Sequence, residues 1–284
     1  SDGASSKVRD FICENSNDSF IKKPLGHGYK ELTILPNSNG EFQIDSNSLH
    51  IWPRGKFMLI ALPNADRSFT CTLFLPLKGF NSFHYLDSKN KVLHFFQKYF
   101  PDTLHLIPNL PDEFLKRPVG KLGSIYCNKW NYKDVAAIFG DAAHTIVPFF
   151  GQGMNASMQD CTVMYSFVKK YNGNWDKIFS RFSERQVANG YAIADMALEN
   201  YIEMRDSVND PNYKIKRELE FELENKLWDR FVPRYSMVSF HEIPYSEVLR
   251  RGVTQSKLMD SFIKGVFTKK KLYEQIEKKL SPIR

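Results

Sequence analysis

Between Tyr29 and Leu75 the apolar positions run together in short blocks or recur at every second residue, the pattern of strands. Lys56–Leu62 is a nearly continuous apolar block, too short to read as a helix. Ser68–Leu75 places Phe69, Cys71, Leu73 and Leu75 on one face. Pro63-Asn64-Ala65-Asp66 between them is turn chemistry, which predicts an antiparallel hairpin. Leu49–Trp52 is a third strand, stopped by Pro53.

The period then changes. Val92, Phe95, Phe96 and Tyr99 stand at helical spacing within Lys91–Phe100, and Pro101 ends the helix. A polar, proline-punctuated stretch runs to Pro118. Val135–Phe139 reads as a short buried strand entering Gly140-Asp141. From Gly151 to Tyr171, Met154, Met158, Cys161, Tyr165 and Val168 trace the apolar face of an amphipathic helix. Beyond Trp175 the chain reads as helical, most clearly over Asp195–Val208 and Tyr213–Trp228. No internal repeat is visible.

Composition narrows the class. The 284 residues, 42% hydrophobic and 25% charged, exclude whole-chain disorder and fit one large domain or two lobes. The net charge of +7 permits an acidic partner, but the basic residues are scattered except at Lys269–Lys271 and Lys278–Lys279. With no nucleic-acid motif beside them, these read as a solvated face. Cys13, Cys71, Cys127 and Cys161 form no CxxC pair and stand at no zinc spacing, which is simplest for a reduced compartment. No metal site is expected. No run of 18 apolar residues occurs, so nothing in the sequence reads as a transmembrane helix. Leu272, Ile276 and Leu280 in the basic tail read as one face of a packed or solvated helix rather than an interfacial anchor.

The segment that carries chemistry is Ile138–Ser157: a strand, an exit with an acid, a small-residue turn, then a Pro- and Gly-rich loop opening a helix. Gly151 and Gly153 let the backbone approach a flat ligand. The helix start beside them offers free N–H groups to a ligand that becomes anionic. Asp141 can accept hydrogen bonds from hydroxyls. It could equally cap a short helix over Ala142–His144, and His144 alone reads as structural.

The combination Gly140-Asp-Ala-Ala-His144, Pro148 and Gly151-Gln-Gly-Met-Asn155 resembles the second flavin motif of the para-hydroxybenzoate-hydroxylase-like flavoprotein monooxygenases. The resemblance implies FAD and NADPH as cofactors, with Asp141, Gly153, Met154 and Asn155 at the flavin. Asp2-Gly3-Ala4, followed by Ser6 and Arg9, resembles that family's Asp-Gly motif and adds Asp2 and Gly3 to the cofactor contacts. His27–Ile34, Leu49–Arg54, Phe57–Asn64 and Ser68–Phe74 resemble the substrate sheet of members that hydroxylate an aromatic amino acid. Asn200–Arg205 and Phe231–Val238 resemble their C-terminal helices. By that resemblance Asn200 and Tyr235 hold the amino-acid end of the substrate. Pro148, Phe149 and Phe150 wall its ring. Arg9 and Arg205 read as structural, and no side chain is expected to be catalytic, the bond-making being the flavin's.

The expected fold is thus α/β (α+β): a partial Rossmann-like FAD-binding domain, an inserted antiparallel sheet and a C-terminal helical region. The expected segments are 1–20, 21–120, 121–194 and 195–284. The family's first flavin motif, a glycine-rich βαβ turn, is not in these residues, so the chain by itself is expected neither to hold FAD nor to turn over. Eukaryotic members point to the mitochondrial outer membrane; the cytoplasm is the alternative. Another ring hydroxylase of the family, a non-catalytic protein that kept the fold, and a basic lipid- or nucleic-acid-binding module are the competing functions.

Overall fold

In the computed structural model, which describes residues 2–205 and 211–283, β1 (Phe20–Ile34), β2 (His50–Pro53), β3 (Met58–Pro63), β4 (Phe69–Pro76) and β5 (Gly120–Cys127) form one sheet. Its order is β2-β3-β4-β1-β5. The expected hairpin is present: β3 and β4 pair antiparallel with Pro63 opposite Phe69. Asn64 N–H donates to the Ser68 carbonyl, and Arg67 takes a positive φ to close the turn. β1 begins nine residues before Tyr29, where charge hides the alternation, and its far half pairs antiparallel with β4, Leu32 opposite Cys71.

One face of the sheet carries Leu32, Ile34, Leu59, Cys71 and Leu73 into a core, because alternate strand residues share a face. The core is closed by α2 (Lys89–Tyr99) through Phe95 and Phe96. The stretch before Pro118 is not a polar connection. It holds α3 (Leu110–Lys116), and Leu106, Ile107, Leu110 and Phe114 are buried in the same core. Pro101 and Pro111 sit at the starts of helical turns, where no N–H is needed. Gly120 lies under the Tyr29 ring; a Cβ there would stand 2.3 Å from it.

Packing divides the chain into two units, one mainly residues 24–123 and the other residues up to 23, 124–201 and the segment from 211 onward. The second unit contains α1 (Lys7–Ser16), the short pair β6 (Asn131–Tyr132) and β7 (Ala136–Ala137), and α4 (Asp141–His144). α5 (Gly153–Tyr171), α6 (Trp175–Arg205), α7 (Pro211–Lys226), α8 (Arg234–Phe240), α9 (Tyr245–Ile263) and α10 (Lys269–Lys279) follow. α6 is continuous across the expected boundary at 194/195, and the end expected at Val208 lies outside the described residues.

Two expectations are corrected. The strand at Val135–Phe139 shrinks to Ala136–Ala137, with Val135 66% exposed, because a tight turn back from Tyr132 leaves room for only two paired residues. The stripe Met154, Met158, Cys161 and Tyr165 faces outward on α5; Ala156, Asp160 and Val163 are the buried side. Small side chains there let α5 lie close to the Gly140 turn.

Leu272, Ile276 and Leu280 are fully buried against Leu219, Leu223 and Phe231, so α10 is a packed helix. No helix among the described residues is long and apolar enough to cross a membrane.

Candidate functional site

Gly140 must be glycine twice over. Its φ is +62°, and a Cβ would stand 2.8 Å from Ser157 Oγ. Its carbonyl accepts from the N–H groups of Ala143 and His144 at 2.8 and 2.9 Å, so Asp141 is the first residue of α4 rather than its cap. The Asp141 side chain is exposed and lines an open pocket of about 560 Å³, together with Pro148, Gly151, Gly153 and Met154.

The opposite wall is the start of α5. Gly151 has a φ of +67°, and a Cβ added to Gly151 or Gly153 would meet nothing within 4 Å. The backbone is therefore bare toward the pocket. Gln152, at the cap position, makes no side-chain cap bond, so the first-turn N–H groups of α5 are left to whatever enters. Gln152 Oε1 instead accepts from Tyr245 Oη at 3.1 Å and Asn155 Nδ2 at 3.2 Å. Asn155 is thus turned along the helix, outside the pocket lining. Met154, 71% exposed, borders it.

Asp2 and Gly3 stand off the lining. Asp2 Oδ2 accepts from Lys7 N–H at 2.6 Å. Hydrogen bonds from the Ser6 hydroxyl and Lys7 N–H hold its carboxyl down at about 2. Ser6 Oγ then caps α1 by accepting from Arg9 N–H at 3.0 Å. Arg9 is fully buried over the Phe20 ring, and its guanidinium donates to the carbonyls of Ala4 at 2.9 Å and Ala142 at 2.8 Å. The joint between the Asp2-Gly3 turn and α4 is therefore Arg9.

The turn Pro148–Phe150 joins the pocket to the remaining residues. Asn200 Nδ2 donates to the Phe149 carbonyl at 2.8 Å, and the Phe149 ring stacks on Tyr201 at 4.2 Å. Tyr235 stacks on Phe150 at 5.6 Å. Asn200 and Tyr235, far apart in sequence, thus meet on one aromatic turn whose Pro148 borders the pocket. Arg205 is the last residue of α6.

Sequence reasoning missed Asp160. It is 2% exposed, and its carboxylate accepts from Gly140 N–H at 2.9 Å, His144 Nε2–H at 2.6 Å and Gln186 Nε2 at 2.7 Å. No local pattern singles it out: Ala156 and Val163, a turn to either side, share its buried face, but nothing in that spacing calls for an acid. His144 is buried and stacked on Trp130 at 5.1 Å.

Residues 102–175, which include this pocket, match the family model described as FAD binding domain. A kynurenine 3-monooxygenase of Flavobacterium psychrophilum is 42% identical over 263 residues, 93% of this chain and 59% of its own length. In sequence the chain is similar to kynurenine 3-monooxygenases over most of its own length. The kynurenine 3-monooxygenases of Dictyostelium discoideum and Sus scrofa are 42% and 41% identical, over 60% and 55% of their lengths. The chain thus spans about six-tenths of the length of the curated kynurenine 3-monooxygenases it matches. Among solved structures, a Klebsiella pneumoniae HpxO variant complexed with FAD superposes with TM-score 0.59 at 14% identity, covering 94% of this chain and 59% of that one. Tetracycline destructase Tet(55) does so with TM-score 0.53 at 13% identity, covering 86% and 60%. The mixed α/β fold with an antiparallel sheet and helical C-terminal region is that of these solved structures.

Proposed function

We propose that the protein to which these residues belong is an FAD- and NADPH-dependent monooxygenase that hydroxylates L-kynurenine to 3-hydroxykynurenine with O₂. The observation that carries this reading is the pocket in which Asp141 and the uncapped, glycine-bare start of α5 face one space, beside the turn that Asn200 and Tyr235 share. The residues fit a flavin. An exposed acid suits a polyol chain, two side-chain-free backbone positions suit a flat ring, and a helix start suits a ring that becomes anionic. The sequence likeness to kynurenine 3-monooxygenases over 93% of the chain supplies the substrate class.

When bound, FAD supplies the electron and oxygen chemistry. The chain's own share is to bind, orient and exclude water. Asp141 holds hydroxyls at the pocket edge. Gly153, Met154 and the first turn of α5 border the ring, with Asn155 bracing Gln152 beneath them. Asp2 and Gly3 act at a distance, through Arg9, on the turn that carries Asp141. Pro148 and Phe149 wall the substrate ring, and Asn200 and Tyr235 present an amide and a phenol to its amino-acid end.

The apolar residues of α10 are packed inward, and no helix among the described residues is long and apolar enough to cross a membrane; a mitochondrial outer-membrane location, with the cytoplasm as the alternative, is supported by the family resemblance alone. Two observations on the full-length protein test the function. Reconstitution with FAD must give a yellow flavoprotein, and L-kynurenine must stimulate NADPH oxidation with formation of 3-hydroxykynurenine. A colourless preparation defeats the cofactor assignment. A yellow one stimulated by other ring compounds but not by kynurenine identifies a different hydroxylase of the same fold, as the uric acid complex of HpxO illustrates for its own site.

A further inference from the structure

The acid that faces the pocket is exposed, yet the turn carrying it is fastened from beneath by a buried acid. Asp160 Oδ2 accepts from Gly140 N–H at 2.9 Å and from His144 Nε2–H at 2.6 Å, so one oxygen grips both ends of the Gly140–His144 turn. The other oxygen begins a relay. Gln186 Nε2 donates to Asp160 Oδ1 at 2.7 Å, and Asn189 Nδ2 donates to Gln186 Oε1 at 2.8 Å. Ser246 N–H and Oγ donate to Asn189 Oδ1 at 3.1 and 2.8 Å. The chain of bonds thus runs from the first turn of α9, through α6, to α5 and the Gly140 turn.

Both ends of this relay are backbone N–H groups, which cannot be inverted. Each amide between them passes the direction on, accepting at oxygen and donating from nitrogen. Two donor directions therefore converge, and the group where they meet must accept on both sides. A carboxylate does so; an amide cannot. This is the physical reason for an Asp among the small buried residues of α5, and it makes the relay fully satisfied in one orientation only.

We propose that Asp160 is the positioning residue of the cofactor turn: as the double acceptor of a buried one-way relay, it fixes where Gly140 presents Asp141 against the start of α5. The proposal rests on the reading of the pocket as a flavin site. It makes a prediction that a merely well-packed polar residue would not. In Asp160→Asn an amide N–H must face another donor, so one link fails wherever the side chain is turned. In Gln186→Glu two carboxylates face each other. In the double variant Asp160→Asn/Gln186→Glu the convergence point simply moves by one residue. The new amide on α5 accepts from Gly140 N–H and donates to the new carboxylate on α6, which also accepts from Asn189. Every bond is restored with the same net charge and nearly the same volume.

The test is a double-mutant cycle on the full-length protein, read by FAD dissociation constant and by the amide proton shift of ¹⁵N-glycine-labelled Gly140. Each single variant is expected to weaken FAD binding about tenfold or more and to move the Gly140 resonance, and the double variant to return within about threefold of wild type with the resonance restored. Should a single variant fail to fold, recovery of folded protein in the double variant supports the relay equally, and continued failure to fold counts against it. Wild-type FAD affinity in Asp160→Asn, or a double variant no better than the singles, overturns the proposal. If the wild-type protein itself takes up no FAD, the flavin reading fails, and the Gly140 resonance across the four proteins still decides whether Asp160 holds the turn.

Discussion

Burial sorts the four thiols of this chain. Cys161 is exposed on α5, whereas Cys13, Cys71 and Cys127 are buried. Loss of solvation pushes Cys71 and Cys127 from 9.0 up to about 12, and raises Cys13 as well. Since the thiolate is the reactive form, a thiol-specific reagent at pH 8 should modify one cysteine quickly and the other three only after denaturation. Two or more fast thiols in the native protein would contradict this burial pattern. Asp141 is the opposite case, a residue whose value lies in being exposed. Asp141→Asn is expected to change stability by no more than about 0.5 kcal/mol, as for other unpaired surface positions, while weakening FAD binding; equal losses in both would make it structural. At this scale Asp141 was legible because an acid after a short strand, ahead of a glycine-flanked helix start, is a local pattern. Asp160 was not. Its partners come from two other segments, Gly140 and His144 from the turn before α5 and Gln186 from α6, and a single acid in a helix looks, in sequence, like a solvated one.

Among the elements, the hairpin β3–β4 was readable because period-two patterning and turn residues agree, and both are local. The outward face of α5 was misread for the opposite reason. Periodicity identifies an apolar face but not which face a neighbour's shape demands, and here the close approach of the Gly140 turn selects the small one. α6 makes a comparable demand at Gly190, where a Cβ would stand 2.8 Å from Trp130 Cζ2 and 3.0 Å from His144 Cβ. Replacing a helical glycine by alanine ordinarily gains up to about 1 kcal/mol. At Gly190 overpacking against a buried indole costs about 1–3 kcal/mol, so Gly190→Ala should lower the urea midpoint. Gly153→Ala, with open space at its Cβ, should leave the midpoint equal or higher and still weaken FAD binding, because the added methyl projects beside the bare backbone of the pocket wall. Stability gained at Gly190, or FAD affinity untouched at Gly153, would show that the two glycines have been assigned to the wrong causes.

For the chain as a whole, the same burial that protects the thiols sets a limit on its stability in alkali. Cys71 and Cys127 rise from 9.0 to about 12 and Tyr245 from 10.0 to about 12, each chiefly by desolvation. Tyr126 is raised further, by burial and then by its hydrogen bond to the Asp195 carboxylate. For each of these acids the folded state keeps its proton after the unfolded state has lost it. Their contribution is therefore intact below the unfolded value, 9.0 for the thiols and 10.0 for the tyrosines, and is lost as pH climbs toward the folded one. Each group lying between its two values removes about 1.4 kcal/mol per pH unit, so the two thiols alone give a slope of about 3 kcal/mol per unit above pH 10. Lys30 opposes them. Its ammonium is buried beside the Phe114 ring and donates to the Phe114 carbonyl, and desolvation lowers its value below 10.5. Folding with Lys30 charged is penalised, and that penalty disappears as pH rises through its lowered value toward 10.5. One lysine against two thiols and two tyrosines leaves the balance clear. Urea midpoints measured at pH 8, 9, 10 and 10.5 should fall monotonically from about pH 9, and Cys71→Val should flatten the fall. A midpoint that held level to pH 10.5 would mean that these thiols and phenols are far better solvated than their packing allows.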